Sequence, residues 1–518
     1  MHISKHTADS YRIVFSAEGN FQYELFTDSG RGANIYIIKD EAYKALLHTP
    51  VEWNPDKKSL TFSSIKEIEK FAREFPNIFT LFVYQPHAKA LFVATDLLGL
   101  QPVFYQITGS GDTIFSTLIG RIFEQSKTVP SIDPEGFFHF LSFGYPFAPA
   151  PLPYRGIERI YQRRLLHFVP GGTIQNDYAY TDLPEIASSQ EEPDWEAIHQ
   201  TLLSGYSYIH RPFIGVTAGK DSLVVSATAS RMGKAIRSGN FGDPEATNVL
   251  AGRKLAEKLG FVYHYVPLCS EDEFSRYLDE IAWYGSGLAT GSYVDMLKFV
   301  DKGMQAGETF VMGEAGESVR DFFSHHPLPE NFLTPKEALQ NVLPGEFTTK
   351  LKDYPANMLE RFISKYPRDT DAFFIDFYRN ARLPGNFGLR SLLLQSRNAK
   401  LSPFTDSEFI RLTYGLSTDY YKNSGIHRRI IKEFYPELTS FLDVPVTGDT
   451  QVWPQRFRGG IGRIVEQIIH QSEGLLPLNT EALIRLTREN MQRPSRSLYL
   501  ILRLLPMMLF MRKMHGRS

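Results

Sequence analysis

Cysteine is almost missing from this 518-residue sequence, and Cys269 is the only one. A single thiol forms no internal disulfide and cannot by itself supply a cysteine-rich metal site or a CxxC redox pair, so a reducing, cytoplasmic setting is expected. An excess of either charge is lacking too. Against 58 Asp and Glu stand 56 Lys and Arg, and the formal charge of −2 gives no electrostatic reason to expect nucleic acid as a partner. Long apolar runs are also absent: the stretch Leu498 to Met511 is interrupted by Arg503 and Pro506 and is too short to span a bilayer. The start, Met1-His2-Ile3-Ser4-Lys5, does not have the charged-then-apolar pattern of a signal peptide, so no export is expected. Internal repeats and low-complexity segments are not seen.

What is present is a folded-protein composition, 42% hydrophobic and 22% charged, on a chain with room for about two to four cores. The basic C-terminal tail (Arg485, Arg488, Arg493, Arg496, Arg503, Arg512, Lys513 and Arg517 against Glu489) admits two readings. Its Leu and Met face either packs on the domain as a helix or makes weak contact with an anionic membrane surface.

The first 180 or so residues read as mostly β. Phe79–Tyr84 and Ala90–Thr95 are β-branched and aromatic runs separated by Gln85-Pro86-His87, and Val169-Pro170-Gly171-Gly172 is a turn signal near the end of the block. The acidic, proline-containing stretch Thr181 to Trp195 reads as a linker, which divides the chain into units 1–182 and 196–518. Beyond it strand and helix patterns alternate. Phe213–Val216 is a short apolar run, Asp221–Arg231 and Pro244–Leu259 carry helical spacing, and Val262–Val266 is strand-like, the order of a parallel sheet with crossover helices. From about residue 375 onward the pattern is largely helical.

The most informative segment is Val216-Thr217-Ala218-Gly219-Lys220-Asp221-Ser222, which leaves a strand and enters a helix. Such a loop offers backbone N–H groups and a helix N-terminus to an anion, and its small residues let phosphate oxygens approach. Asp221 can hold a divalent cation against the phosphates, and Lys220 with the hydroxyls of Thr217 and Ser222 can add contacts. An ordinary strand-to-helix turn with an Asp beside the cap has the same sequence. The spacing matches neither GxxxxGK[ST] nor GxGxxG.

The loop resembles the SGGxDS pyrophosphate loop of the N-type ATP pyrophosphatases, and further segments follow in the matching order. Asp243-Pro244-Glu245, with Ala256, Leu259-Gly260 and His264, is similar to the family stretch near the adenine. Gly313-Glu314-Ala315-Gly316-Glu317 resembles the GEGxDE loop of asparagine synthetases, and Ser402-Pro403-Phe404-Thr405-Asp406 their PFLD segment. Upstream, Asp96 to Tyr105 is similar to the DxxGxxPLYY stretch of their N-terminal domain, and Val169–Gly172 to the LxPG that closes it. The chain thus resembles the asparagine-synthetase-like family, which includes β-lactam synthetase and the lasso-peptide cyclases. The fold this implies is α/β: an N-terminal glutamine-hydrolase-like (Ntn-type) sandwich, then an ATP-pyrophosphatase (adenine nucleotide alpha hydrolase-like) parallel-sheet domain with a helical C-terminal part.

The resemblance implies an ATP-dependent carbon–nitrogen ligase. A carboxylate, on a peptide or a small molecule, is adenylated with release of pyrophosphate, and an amine then displaces AMP. ATP and Mg²⁺ are the implied cofactors. Thr217, Ala218, Gly219, Lys220, Asp221, Ser222, Asn240 and Gly313 would contact the nucleotide, Asp221 and Glu317 the metal, and Glu314 falls where the family has its general base for the amine. Partner proteins of a biosynthetic pathway are implied as well.

Three departures qualify this. Position 2 is His2 where glutamine-using members carry a nucleophilic cysteine, so the amine is expected from the substrate or another acceptor, as in β-lactam and lasso-peptide macrolactam closure. Glu317 stands for the family aspartate, and Ser318 for the next acid. The family's lysine downstream of PFLD is missing, because no lysine lies between Lys432 and Lys513; Arg456 and Arg458 stand near its place, with Arg428, Arg429 and Lys432 just before. A guanidinium there would stabilise phosphate oxygens but donate protons poorly. Amidation of a sugar uronate or an amino acid with free ammonia, and a nucleotide-binding relative without chemistry, remain alternatives.

Overall fold

The computed structural model describes residues 2–8, 10–26, 33–39, 42–49, 62–186, 192–233, 235–321, 336–345, 349, 353–362, 371–444, 456–493, 495 and 497–516. Twelve strands come first: β1 (His2–Ala8), β2 (Ser10–Phe15), β3 (Phe21–Phe26), β4 (Ala33–Lys39), β5 (Lys44–Thr49), β6 (Thr80–Gln85), β7 (Ala90–Thr95), β8 (Val103–Ile107), β9 (Thr113–Ser116), β10 (Glu158–Ile160), β11 (Arg164–Val169) and β12 (Thr173–Ala179). They form two antiparallel sheets, ordered β1-β4-β5-β6-β7-β11-β12 and β10-β8-β9-β2-β3.

Alternation along each strand explains why the sheets stack. Phe82, Tyr84, Leu91 and Val93 enter a core shared with Tyr11, Ile13, Phe15, Val103 and Phe115 of the second sheet. Leu81, Val83, Phe92 and Ala94 point the other way, into a second core. With both faces buried, the strands read as continuous apolar runs.

Within this mostly β block lie three helices that the residue pattern did not locate, Ile65–Glu74, Ile119–Ser126 and Pro134–Phe143. The last is rich in phenylalanine and looks strand-like in composition. Asp133 decides against that: its carboxylate caps the helix by accepting from Gly136 N–H, and Pro134 suits the first turn.

The second half holds β13 (Pro212–Gly215), β14 (Arg237–Gly242), β15 (Val262–Pro267), β16 (Thr309–Val311) and β17 (Lys400–Leu401), all parallel, in the order β15-β14-β13-β16-β17. From β13 the chain moves outward through β14 to β15, then returns to place β16 on the other side of β13. The strand order therefore reverses between β13 and β16, where open α/β sheets form a crevice at the carboxyl ends of the strands. The helices Lys220–Ser230 and Thr247–Lys258 are the first two crossovers. Of the linker expected at Thr181–Trp195, residues 187–191 lie outside the described residues, and Trp195 already opens the helix Trp195–Ser204.

After β16 the described chain is mainly helical, with β17 as the exception. The tail forms the helix Leu498–Met514, which buries its Leu and Met residues together with Tyr277, Ile281 and Trp283 of the helix Glu271–Tyr284 and with Phe137 and Phe140 of the N-terminal half. The stripe that would have faced a membrane surface is thus inside the protein, and Arg503 packs against Gly144. No helix among the described residues is long and apolar enough to cross a membrane. The two halves share apolar cores and are joined by polar contacts. Tyr154 Oη donates to the Ser286 carbonyl (2.8 Å), and Arg159 Nη2, which also bonds the Gly99 carbonyl of its own half (3.1 Å), donates to the Pro384 carbonyl (2.6 Å).

Candidate nucleotide site

The turn after β13 is built from its own side chains. Thr217 N–H donates to Ser222 Oγ (2.9 Å), Gly219 N–H to Thr217 Oγ1 (3.1 Å) and Ala218 N–H to Asn248 Oδ1 (2.9 Å). Ser222 Oγ in turn donates to the Gly215 carbonyl (3.0 Å). These three backbone donors are therefore already engaged, two within the loop and that of Ala218 by Asn248. The donors left for an anion are those of Lys220, Asp221 and Ser222, because Gly219 is the N-cap and brings no side chain to satisfy them. Asn240, expected at the nucleotide, works one layer back: its Nδ2 donates to the Asn248 carbonyl (3.1 Å) and its Oδ1 accepts from Phe241 N–H (2.7 Å). Asn248, which the sequence reading did not single out, fixes the turn from the second crossover helix.

The segment after β16 lies directly against this turn. A methyl group at Gly313 would fall 2.6 Å from Asp221 Cβ, and one at Gly316 2.6 Å from Asp221 Oδ1. Only glycine lets the two segments approach this closely. Ala315 between them has φ 69°, in the left-handed region.

Asp221 and Glu317, the two expected metal ligands, are brought together, but by a third residue. Arg320 Nη2 donates to Asp221 Oδ2 (2.8 Å) and lies 3.5 Å from Glu317 Oε1. The Tyr378 hydroxyl donates to Glu317 Oε2. His427 Nε2 approaches Asp221 Oδ1 to 2.9 Å without the angle of a hydrogen bond. Burial pushes the Asp221 carboxyl up, but Arg320 and His427 outweigh it and hold the group below its ordinary value. Burial, then the nearby Arg428 and Arg320, push Lys220 down, the mark of three cations gathered at one helix terminus.

Glu314 occupies a separate, sealed position. Its side chain is 1% exposed and paired with Lys400, also 1% exposed, and with Arg390 Nη2 at 2.8 Å. Lys400 Nζ also reaches Ser391 Oγ (2.6 Å), and burial pushes its ammonium well below its ordinary value. A carboxylate engaged by both Arg390 and Lys400 is not an unengaged base, and this is the physical obstacle to the role expected for it. Lys400 stands just ahead of the Ser402–Asp406 segment, where the sequence reading looked only downstream for a lysine. Asp406 caps the helix Ser407–Thr413 through the N–H groups of Glu408 and Phe409.

Arg456 is not drawn to these loops. Its guanidinium donates to Asp295 Oδ2 (2.5 Å) and to the Cys269 carbonyl (3.0 Å), beyond the end of β15, the edge strand opposite β17. Arg458 lies in the following π-helical turn Phe457–Ile461, and its side chain is outside what the structure describes.

In the N-terminal sandwich the Asp96 carboxylate gathers the N–H groups of Leu98 (2.9 Å), Leu100 (3.1 Å) and Gln101 (3.0 Å) into a tight turn with Gly99 at φ 66°. That turn docks on Pro384 of the second half. Residues 60–179 match the glutamine amidotransferase domain. No curated protein matches the chain. The match spans β6 to β12 and the three helices of this glutamine amidotransferase-like domain. Among the described residues no thiol belongs to it: Cys269 is in the other half, buried, with Sγ 3.6 Å from the Val294 carbonyl, and burial together with Asp295 pushes its thiol up.

The donor set does not fit the implied Mg²⁺. Magnesium held by carboxylates requires oxygens about 2.0–2.1 Å from the ion, and here the space both carboxylates face is taken by Arg320 Nη2. Among the described residues no group of three His, Cys, Asp or Glu side chains is arranged to hold a metal.

Proposed function

We propose that the chain is an ATP-dependent carbon–nitrogen ligase that adenylates a substrate carboxylate and passes the acyl group to an amine from a source other than glutamine. One observation carries this reading: the turn at 217–222 and the loop at 313–317 lie side by side where the strand order reverses, between β13 and β16. The unfilled N–H groups of Lys220, Asp221 and Ser222, with Lys220 and Arg320, supply the positive field for a diphosphate. In the reaction a carboxylate oxygen attacks the α-phosphorus and pyrophosphate leaves. The amine nitrogen then attacks the acyl carbon, AMP departs, and the amine's proton passes to a base. The buried Cys269 supports an amine source other than glutamine hydrolysis in this chain. Ring closure of a peptide macrolactam or a β-lactam-type precursor, and amidation of a uronate or amino acid, all suit this chemistry.

Release of AMP and pyrophosphate from ATP, screened over peptides, amino acids and uronic acids, tests the proposal. Turnover is expected with one substrate class and is expected to vanish in Asp221→Asn, which loses the anchor of Arg320. Glutamine should yield no glutamate. Persistent turnover in Asp221→Asn would remove the turn from the site.

A second reading, a nucleotide-binding relative without chemistry, is favoured by the sealing of Glu314 between Lys400 and Arg390. It predicts ATP binding with no AMP formed on any member of the panel.

A further inference from the structure

Asp221 and Glu317 converge as a carboxylate pair would around a divalent ion, yet one guanidinium nitrogen already stands between them. Arg320 Nη2 is 2.8 Å from Asp221 Oδ2 and 3.5 Å from Glu317 Oε1. The pair is held from behind: Gly316 leaves room for the Asp221 carboxylate, and Tyr378 fixes the far oxygen of Glu317. Arg320 follows the 3₁₀ turn Gly316–Val319, so the cation is delivered by the same loop that carries one of the acids. All three side chains keep some exposure, 21% for Arg320, 13% for Asp221 and 20% for Glu317, so the cluster opens on solvent and is not part of the core.

We propose that Arg320 takes the place of the divalent cation, so that this loop pair grips a nucleotide's diphosphate through a guanidinium and refuses a metal ion between Asp221 and Glu317. The proposal rests on the nucleotide reading above for its ligand, but its metal half stands on the geometry alone. A guanidinium is permanently charged and presents several N–H donors in one plane. Standing against the two carboxylates, it brings phosphate oxygens a positive charge that a hydrated ion brings only by shedding water. Lys220, on the same helix terminus, adds a second positive group for the diphosphate. Tyr378 keeps the Glu317 end of the clamp in place while the phosphate is engaged. The consequence is a site whose affinity for nucleotide does not depend on free divalent ion.

Two measurements on the full chain test this. In the first, Mn²⁺ is titrated into protein without nucleotide and free ion is read by electron paramagnetic resonance. The wild type is expected to take up no Mn²⁺ at this site. Arg320→Met, which exposes both acids, should bind it at least about tenfold more tightly, and Arg320→Lys, which keeps a cation, should resemble the wild type. In the second, ATP binding is measured calorimetrically in EDTA and in Mg²⁺. Wild-type affinity should agree within about threefold between the two conditions, a difference of less than about 0.7 kcal/mol. Arg320→Met should lose binding in EDTA. Mn²⁺ uptake by the wild type, removed by Asp221→Asn, would overturn the metal half without any need for the Arg320 variants to fold. ATP binding seen only with Mg²⁺ would overturn the guanidinium grip and leave the nucleotide reading standing. Failure of ATP to bind in either condition would instead sink the nucleotide reading and the diphosphate half with it, and the Mn²⁺ titration still decides whether Arg320 excludes metal.

Discussion

At Gly313 the packing of two loops comes down to a missing methyl group. A Cβ there would meet Asp221 Cβ at 2.6 Å and the Asp221 carbonyl carbon at 2.8 Å, and the second of these is backbone and cannot swing aside. Gly313→Ala is therefore expected to lower stability by about 1–3 kcal/mol, as overpacking does. Gly109→Ala, with nothing within 4 Å, should be close to neutral. Chemical denaturation of both variants checks this, and a Gly313→Ala midpoint equal to that of the wild type would mean the loops are not packed as described. The same scale shows why parts of the site were illegible in the sequence. Asp221, Ser222 and Glu317 sit in recognisable local spacings. Arg320 follows Glu317 by three residues but lies outside the motif spacing, and Tyr378, His427 and Asn248 reach Glu317 or the turn from separate stretches, so only tertiary folding makes them neighbours.

Local rules agree with the fold in the helix Glu271–Tyr284, although the sequence reading did not single it out: Ser270 Oγ accepts from Glu273 N–H and the Glu273 carboxylate accepts from Ser270 N–H, a reciprocal cap at the entrance. Ser270→Ala should cost about 1 kcal/mol. Glu273 is further bonded by Lys298 Nζ at 2.7 Å, and that bond, with the cap, lowers its carboxyl to about 2. A carboxyl lowered on folding contributes stability above its unfolded value of about 4.3. That contribution is lost as pH falls through the folded value of about 2. The gap in melting temperature between wild type and Glu273→Gln is thus expected to be full at neutral pH and to close on acidification. A gap independent of pH would show that the pair is not made. The same local logic located the helix Lys220–Ser230 to within a residue of its expected start and end. It left Pro134–Phe143 unread, where a run of buried aromatics masks a helix capped by Asp133 and ended by Gly144.

For the whole molecule, the sequence order of strand and helix patterns was enough to indicate a mostly β block followed by a parallel sheet. It did not convey how the halves are joined. The Leu498–Met514 helix, which the sequence also allowed to face a membrane, closes a core built from both halves, and the Asp96 turn that resembles a family motif serves to seat one half on Pro384 of the other. Arg456, placed near the site by counting along the chain, instead lies by the edge strand β15. Distance along a helical region says little about position around a sheet, since each crossover changes the strand to which the chain returns. What the topology does fix is that two loops distant in sequence share the crevice between β13 and β16. Hydrogen–deuterium exchange with and without saturating ATP measures that most directly. Amides in 217–222 and in 313–320 are expected to gain protection together. Protection of one segment without the other, or of neither while ATP is bound elsewhere, would contradict the shared site.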